Sequence, residues 1–131
     1  MNLLGYNLHI LNLNKINFKS KTIINTINPH SYAVAKYDNQ FKSSLTNSNY
    51  LMPDGVGFVL AAFILKQKII KRITGYDIHK YFLNLANKKS LKVFYFGSSI
   101  DTLENIKEKN TKRFPKLDAM YYSPPFKKVF L

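Results

Sequence analysis

The stretch LMPDGVGFVLAAFIL, residues 51–65, decides the fold of this chain. It joins a short strand candidate, residues 49–52, to a Pro-Asp-Gly turn and then to an apolar run. Because residues 57–68 have almost no polar side chain before Lys66, we expect them to form a mostly buried helix. The stretch therefore predicts a strand, a tight turn and a helix, with the carboxylate of Asp54 at the point where strand gives way to helix.

The same pattern of strand, turn and helix occurs upstream. Residues 22–27, TIINTI, are rich in β-branched side chains and end at Asn28-Pro29. Proline suits the first turn of a helix and asparagine is a good N-cap, so a helix is expected to begin here. The apolar side chains at helical spacing, expected on one face of that helix, are Val34, Tyr37, Phe41 and Leu45.

Downstream, two more helices alternate with two more strands. The first helix is expected to begin near Asp77, which has capping-box spacing from Thr74. Residues 91–97, LKVFYFG, are a continuous apolar run typical of a parallel strand covered on both faces. A helix at residues 100–113 and a strand at residues 117–122 are predicted to follow. The apolar stripe of the first helix is Ile78, Tyr81, Phe82, Leu85 and Ala86.

This alternation predicts an α/β protein with a Rossmann-like, mostly parallel sheet and helices on both faces. No repeat, low-complexity tract or linker interrupts residues 1–131, so we expect a single domain. Sheets of this kind bind ligands at the carboxyl ends of their strands. Three polar turns are expected along that edge, at residues 26–29, 53–55 and 97–99.

The charge of the chain favours polyanionic partners. Lysine and arginine number 20 against 7 acidic residues, which gives a net charge of +13. Nucleic acid, anionic lipid headgroups and phosphorylated substrates all suit such a surface. The many Lys, Asn, Ile, Phe and Tyr residues also fit a genome rich in A/T codons, and composition alone leaves both explanations open.

Composition excludes several kinds of site. The chain has no cysteine, which rules out disulfides, thiolate metal sites and a cysteine nucleophile. His9, His30 and His79 are scattered without the spacing of metal ligands, so no metal is expected. We assign His30 and His79 to packing or to the surface.

The N-terminal and apolar segments predict a cytosolic protein that at most rests on a membrane. The first residues lack the basic leader region and the cleavage site of a signal peptide. The longest apolar run, residues 55–65, is shorter than the ~20 residues that cross a bilayer.

Two charged residues are candidates for chemistry. Asp54 either caps the helix that follows it or acts as a general base at the end of a strand, with Gly55 leaving room for a substrate. Arg72 is one of only two arginines in a chain that otherwise uses lysine. Its planar fork suits a carboxylate or a diphosphate, although a solvated basic turn explains it equally well.

Other polar residues at the predicted turns have two interpretations each. Gly97 and Ser98, followed by Ser99 at a helix N-terminus, either receive a phosphate through backbone N–H groups or only cap the helix. Thr26 and Asn28 are either a strand residue and a cap or hydrogen-bonding groups for a substrate.

Four segments, in this order and spacing, resemble the bacterial WecG/TagA/CpsF glycosyltransferases, also called glycosyltransferase family 26. The segments are TINPHSYAVAKYDNQF (26–41), LMPDGVG (51–57), KRITGYD (71–77) and KVFYFGSS (92–99). The resemblance runs from about Leu3 to the end of the chain and implies a GT-E-like version of the Rossmann-like fold. It implies transfer of an N-acetylmannosamine-type sugar from a UDP donor to an undecaprenyl-diphosphate-linked saccharide, with inversion and without a metal or other cofactor. Such reactions build teichoic acids and other cell-surface polysaccharides.

The resemblance also assigns roles to residues. Asp54 falls on the family's Asp-Gly position and becomes the catalytic base. Thr26 and Asn28, with Gly55, shape the sugar pocket, and Arg72 neutralises the leaving diphosphate. It further implies peripheral contact with the inner face of the cell membrane and is compatible with a homo-oligomer.

The sequence departs from the family in two places. The stretch between Leu11 and Lys21 is shorter than in many relatives. The chain ends at SPPFKKVFL, without the further βα unit and basic tail of relatives, so the predicted domain is incomplete.

A small nucleic-acid-binding module is the alternative function, because the chain is basic and 15% aromatic. The positions of the aromatic residues argue against it. Phe94 and Phe96 lie in an apolar run, and Tyr81 and Phe82 lie on a helical stripe, so they are expected in the core and not as stacking platforms. No nucleic acid is therefore expected as a partner.

Overall fold

Each strand that the sequence predicts is present in the computed structural model, which describes residues 1–17 and 21–125. The expectations about residues 11–21 and about the last residues of the chain fall partly outside these ranges. The chain divides into two compact units, Met1–Ile78 and His79–Leu131, and each is described by itself.

The first unit contains an antiparallel hairpin and a parallel pair of strands. The hairpin turns at Leu4 and Gly5, which both have positive φ. The parallel pair is connected through helices, as a βαβ unit requires. Its elements are β1 (Asn2–Leu3), β2 (Tyr6–Asn7), β3 (Ile24–Ile27), α1 (Pro29–Val34), α2 (Asn39–Thr46), β4 (Tyr50–Pro53) and α3 (Val56–Lys66), with a 3-10 turn at Leu13–Lys15.

The second unit is another βαβ arrangement. The helix α4 (Gly75–Lys89) leads into it, and its two strands pair in parallel from Lys92 with Asp118 to Phe96 with Tyr122. Its remaining elements are β5 (Lys92–Phe96), α5 (Ile100–Arg113) and β6 (Asp118–Tyr122). Parallel strand pairs joined through helices confirm the predicted α/β, Rossmann-like class.

The first predicted helix is interrupted, and its predicted apolar face is partly wrong. Asp38 begins a new helix, because its side-chain oxygen accepts a hydrogen bond from the backbone N–H of Phe41 at 2.8 Å. The break turns Tyr37 outward, where it is 93% exposed. Leu45 is buried as predicted and Phe41 packs against the core, whereas Val34 is exposed and Ala35 is buried in its place. The predicted face is therefore wrong only for Val34 and Tyr37, because the Asp38 cap divides the helix.

The predictions that α3 is mostly buried and that β5 is covered on both faces are also wrong. In α3 only Phe58 and Ala62 are buried, while several large apolar side chains remain exposed. In β5 exposure alternates, and Phe94 and Phe96 are more than half exposed. An apolar run therefore does not by itself indicate burial, because burial depends on which elements pack against the run.

The core of the first unit joins the hairpin to the parallel pair. Ile27 at the end of β3 is fully buried, and Leu51 in β4 is 3% exposed. Phe58 of α3 packs edge-on against the ring of Tyr32 in α1. The other buried members of this cluster are Leu3, Tyr6, Leu8, Ala35, Leu45, Ala62 and Ile70.

A polar network holds the second unit together. The Asn110 side chain is buried, and its amide donates to the hydroxyls of Tyr95 at 2.9 Å and Tyr121 at 3.1 Å. The Tyr95 hydroxyl also pairs with Nε2 of His79 at 2.8 Å. Burial raises the pKa of Tyr95 and lowers the pKa of His79, which favours a neutral hydroxyl beside a neutral imidazole.

Replacing Asn110 with alanine is therefore expected to lower the free energy of unfolding by about 1–3 kcal/mol, because two phenols lose a buried donor. Urea unfolding of the variant measures the change. Asn105→Ala, at an exposed position of the same helix, is the matched control and should differ from the parent by no more than about 0.5 kcal/mol. Equal losses from the two variants would show that the network contributes nothing specific.

Within residues 1–17 and 21–125, no helix combines the length and the apolar character needed to cross a bilayer.

Candidate functional site

The turns after β3 and β4 lie side by side. The strands pair in register, with Thr26 opposite Met52 and Ile27 opposite Pro53. The backbone N–H of Asp54 then donates to the carbonyl of Ile27 at 2.8 Å and extends the pairing by one residue. The carboxyl ends of the two strands, with their polar residues, therefore form one edge, as expected for two of the three predicted turns. The third turn, residues 97–99, lies in the second unit.

Two glycines bring these turns into contact. Gly55 has φ +86°, and a Cβ there would lie 3.3 Å from Cδ of Pro29 and 3.7 Å from Cβ of Asn28. A Cβ at Gly57 would lie only 2.5 Å from Cγ of Pro29. The absence of side chains at both positions is what allows Asn28 to approach the turn that carries Asp54.

Gly57→Ala is expected to lower the free energy of unfolding by about 1–3 kcal/mol, because the proline ring is rigid and cannot yield to the added methyl group. The higher helix propensity of alanine opposes this loss and raises the free energy of unfolding by at most ~1 kcal/mol. Thermal unfolding of the variant measures the net change in stability.

Gly75→Ala is the matched control for this substitution. Gly75 is also in the first turn of a helix, but a Cβ there would meet nothing within 4 Å. If Gly57→Ala were as stable as Gly75→Ala, close packing of the two turns would be contradicted.

The carboxylate of Asp54 is available for chemistry. The residue is half-buried, and its side chain makes no hydrogen bond or ion pair with any residue in the described ranges 1–17 and 21–125. The capping interpretation is wrong: the N-cap of α3 is Gly55, and no side chain caps this helix. A carboxylate without a structural partner at the end of a strand can accept a proton or bind a substrate hydroxyl.

Thr26 and Asn28 present polar groups at the same edge. Asn28 does cap α1: its side-chain oxygen accepts from the N–H of Ser31 at 2.9 Å, and its own N–H donates to the Ser31 hydroxyl at 2.8 Å. This capping box uses the oxygen of the side chain and leaves its Nδ2 group with no partner among the described residues. The half-buried Thr26 hydroxyl likewise makes no hydrogen bond within the described part of the chain.

Arg72 belongs to a segment that returns to the end of β4. The next residue, Ile73, donates its N–H to the carbonyl of Pro53 at 3.0 Å, immediately before Asp54. The Arg72 side chain is exposed and makes no salt bridge with a described residue. Its cationic group is therefore free to bind an anion near this edge of the sheet.

The predicted capping box after Arg72 is confirmed. The Asp77 carboxylate accepts hydrogen bonds from the N–H of Thr74 at 2.9 Å and from its hydroxyl at 2.7 Å. These hydrogen bonds, with smaller contributions from the positive charges of Arg72 and Lys71, lower the pKa of Asp77. Asp77 is thus engaged in a structural role, which distinguishes it from Asp54.

Gly97 and Ser98 lie in the second unit, in the turn between β5 and α5. The N–H of Gly97 donates to the carbonyl of Tyr122 at 2.9 Å, so this donor is already used. The cap of α5 is the Ser99 side chain, which accepts from the N–H of Thr102. Ser98 has φ +67° and an exposed side chain.

A cavity of about 680 Å³ in the second unit contains none of the predicted site residues. Its walls are largely apolar and include Phe94, Ile100, Met120 and Tyr122. Within the described residues, no three His, Asp or Glu side chains are grouped as metal ligands would be.

The contributions of Ser31, Gly57 and Ile73 to this arrangement were not predicted from the sequence. The spacing of Asn28 and Ser31 is that of a capping box and could have identified Ser31. Gly57 and Ile73 act through contacts distant in sequence and leave no local signal.

The known proteins to which this chain is similar are described as glycosyl transferases. The chain matches the model of the glycosyl transferase WecG/TagA/CpsF family over residues 1–129. It is 32% identical over 108 residues to the N-acetylglucosaminyldiphosphoundecaprenol N-acetyl-beta-D-mannosaminyltransferase of Bacillus subtilis strain 168, covering 82% of this chain and 42% of that protein.

Proteins of the same name in two other organisms are also similar. The identity to that of Bacillus spizizenii is 27% over 103 residues, covering 79% of this chain and 40% of the relative. The identity to that of Staphylococcus aureus strain NCTC 8325 is 26% over 97 residues, covering 74% and 38%. The chain thus spans about two-fifths of the length of these curated relatives.

Proposed function

Because the chain belongs to the WecG/TagA/CpsF family of glycosyl transferases, we propose that it transfers an N-acetylmannosamine-type sugar from a UDP donor to an undecaprenyl-diphosphate-linked saccharide. The names of its relatives describe an N-acetylmannosaminyl transfer to an N-acetylglucosaminyl-diphosphoundecaprenol acceptor. The single observation that supports this function is the Asp54 carboxylate, which has no described partner at the joined ends of β3 and β4.

In this proposal Asp54 is the general base. It takes the proton of the acceptor hydroxyl while that oxygen attacks the anomeric carbon of the donor sugar. The bond between that carbon and UDP breaks, and its electron pair leaves on the diphosphate. Attack opposite the leaving group inverts the configuration at the anomeric carbon.

Arg72 neutralises the departing diphosphate in this proposal. A guanidinium fork can donate two parallel hydrogen bonds to phosphate oxygens. No acidic residue occurs between Asp54 and Asp77, and Arg72 forms no salt bridge with a described residue, so its guanidinium can bind an anion. Because this charge comes from a side chain, the proposed reaction requires no metal and no cofactor.

Thr26 and Asn28 orient the sugar in the proposed complex. The hydroxyl of Thr26 and the Nδ2 group of Asn28 can hydrogen-bond to the ring hydroxyls or the N-acetyl group of the donor. Gly55 keeps the turn beside them free of side-chain atoms.

The remaining parts of the proposal concern the whole protein. In the turn after β5, Ser98 is the proposed contact to the nucleotide or its phosphates, and Gly97 contributes only an open backbone because its N–H already donates to Tyr122. Residues 1–131 act as a single glycosyltransferase-like domain, cytoplasmic and peripheral at the inner membrane surface, and the protein is able to form a homo-oligomer.

The test is an assay of transfer from UDP-N-acetylmannosamine to N-acetylglucosaminyl-diphospholipid. UDP release and the mass of the lipid product measure the transfer. Because the chain spans two-fifths of its relatives, the assay is run on the chain and on a chimera in which it replaces the matching part of the Bacillus subtilis relative. If neither protein forms product while the intact relative does, the proposed function is rejected. Salt-dependent binding to RNA or DNA without a response to UDP would instead support the nucleic-acid alternative, which the family match does not favour.

A further inference from the structure

Helix α3 has an apolar face that the first unit does not cover. Val56, Leu60, Phe63 and Ile64 are 68%, 54%, 57% and 62% exposed. Their spacing places them on one side of the helix, opposite the buried Phe58 and Ala62. The face extends over about 12 Å at 1.5 Å per residue. Grouped exposed apolar side chains of this size mark an interaction surface.

A basic segment continues directly from this face. Residues 66–72 contain four cations, Lys66, Lys68, Lys71 and Arg72, and no acid. All four are exposed, and none forms a salt bridge with a described residue. Ile69, between them, is 88% exposed. The segment thus places unpaired positive charge and one more exposed apolar side chain directly after α3.

We propose that the α3 face and the basic segment 66–72 dock on the surface of an anionic lipid bilayer. An apolar helix face flanked by lysines is the arrangement that binds at the boundary between headgroups and acyl chains. Anionic headgroups attract each cation near the membrane surface. A second copy of the chain fits less well, because a two-fold contact would bring the same cations against each other.

This docking rests on the proposed function and extends it to the lipid-linked acceptor. The segment ends at Ile73, whose N–H is bonded to Pro53 next to Asp54. The α3 helix begins on the other side of the same turn, at Val56. Both parts of the docking surface are therefore continuous with the proposed catalytic turn, where the acceptor must bring its hydroxyl.

The chain has no tryptophan, so a single Phe63→Trp substitution gives a specific fluorescent report on this surface. Vesicles of phosphatidylglycerol and phosphatidylcholine should shift its emission to the blue, and brominated acyl chains should quench it. Pure phosphatidylcholine vesicles should do neither. Phe94→Trp, at a residue of the second unit that is 56% exposed, is the matched control and should stay unshifted. No shift of Phe63→Trp, or an equal shift of both variants, would overturn the proposal.

Removing the lysines tests the electrostatic part. Lys66→Gln, Lys68→Gln and Lys71→Gln together should weaken binding to the anionic vesicles by about 100-fold, as three headgroup attractions are lost. The control combines Lys88→Gln, Lys89→Gln and Lys92→Gln, which removes the same charge from exposed residues of the second unit. Equal weakening by the two triple variants would show that net charge alone explains vesicle binding, and it would contradict the proposed docking surface.

Two further measurements separate this proposal from its alternatives. Sedimentation without lipid that showed a dimer, dissociated by Phe63→Gln, would assign the face to a second copy and overturn membrane docking. Phe63→Gln should keep full turnover on a short, water-soluble acceptor while it loses vesicle binding. If the unsubstituted protein bound vesicles but failed to turn over that acceptor, the proposed function would fail and the docking surface would stand.

Discussion

Replacing Asp54 with asparagine is expected to lower the turnover number by about 10²–10⁴-fold, the usual contribution of a positioned base. The amide has nearly the same shape but cannot take the proton of the acceptor hydroxyl. Thermal stability should remain unchanged, because the Asp54 carboxylate makes no hydrogen bond or ion pair within the described residues. UDP release by the chain or the chimera, and a thermal melt of each protein, measure the two effects.

Asp38→Asn is the matched control for this experiment. Asp38 caps α2 through its side chain, and asparagine is an equally good cap, so neither stability nor turnover should change appreciably. Near-normal turnover of Asp54→Asn would show that Asp54 is not the general base. A lowered melting temperature of Asp54→Asn would assign the carboxylate a structural role instead.

Arg72→Gln is expected to lower the turnover number by about 10²–10³-fold, the usual loss when one donor to a developing charge is removed. The developing charge in this case is on the departing diphosphate. Arg72→Lys should fall between the parent and Arg72→Gln, because lysine keeps the charge and loses the planar fork. Turnover at saturating donor measures the effect.

The neighbouring Lys71 offers a direct comparison. Lys71→Gln removes the same charge one residue away, from another exposed side chain that forms no described salt bridge. It should leave turnover on a water-soluble acceptor within about twofold of the parent, since a point charge there is screened by solvent. If both variants lost turnover equally, general positive potential and not the Arg72 fork would support the reaction.

Local signals in the sequence were sufficient for most of the secondary structure. The helix predicted at residues 100–113 is α5, and the four predicted strands are present with small shifts at their ends. Asn28 and Thr74 begin helices as expected, because a cap involves groups only three residues apart. The alternation of these elements also gave the α/β class, since parallel strands need helical connections.

The same local reasoning failed wherever burial decided the outcome. The apolar runs at α3 and β5 indicated coverage on all sides, but large side chains in both remain exposed. Asp38 divided a helix whose apolar spacing predicted continuity. Burial depends on which elements pack against a segment, and a run of apolar letters does not contain that information.

The sequence by itself determined the class of the fold, the turn that carries Asp54 and the helix that follows it, because hydrogen bonding and side-chain spacing within a few residues fix these features. Only the tertiary structure decided that Asn28 lies against Gly55 and that Arg72 belongs to a segment bonded to the end of β4. It also decided that the Asp54 carboxylate is left without a described structural partner. These facts depend on contacts between residues far apart in the chain, where packing decides which polar groups find a partner and which stay free for a substrate.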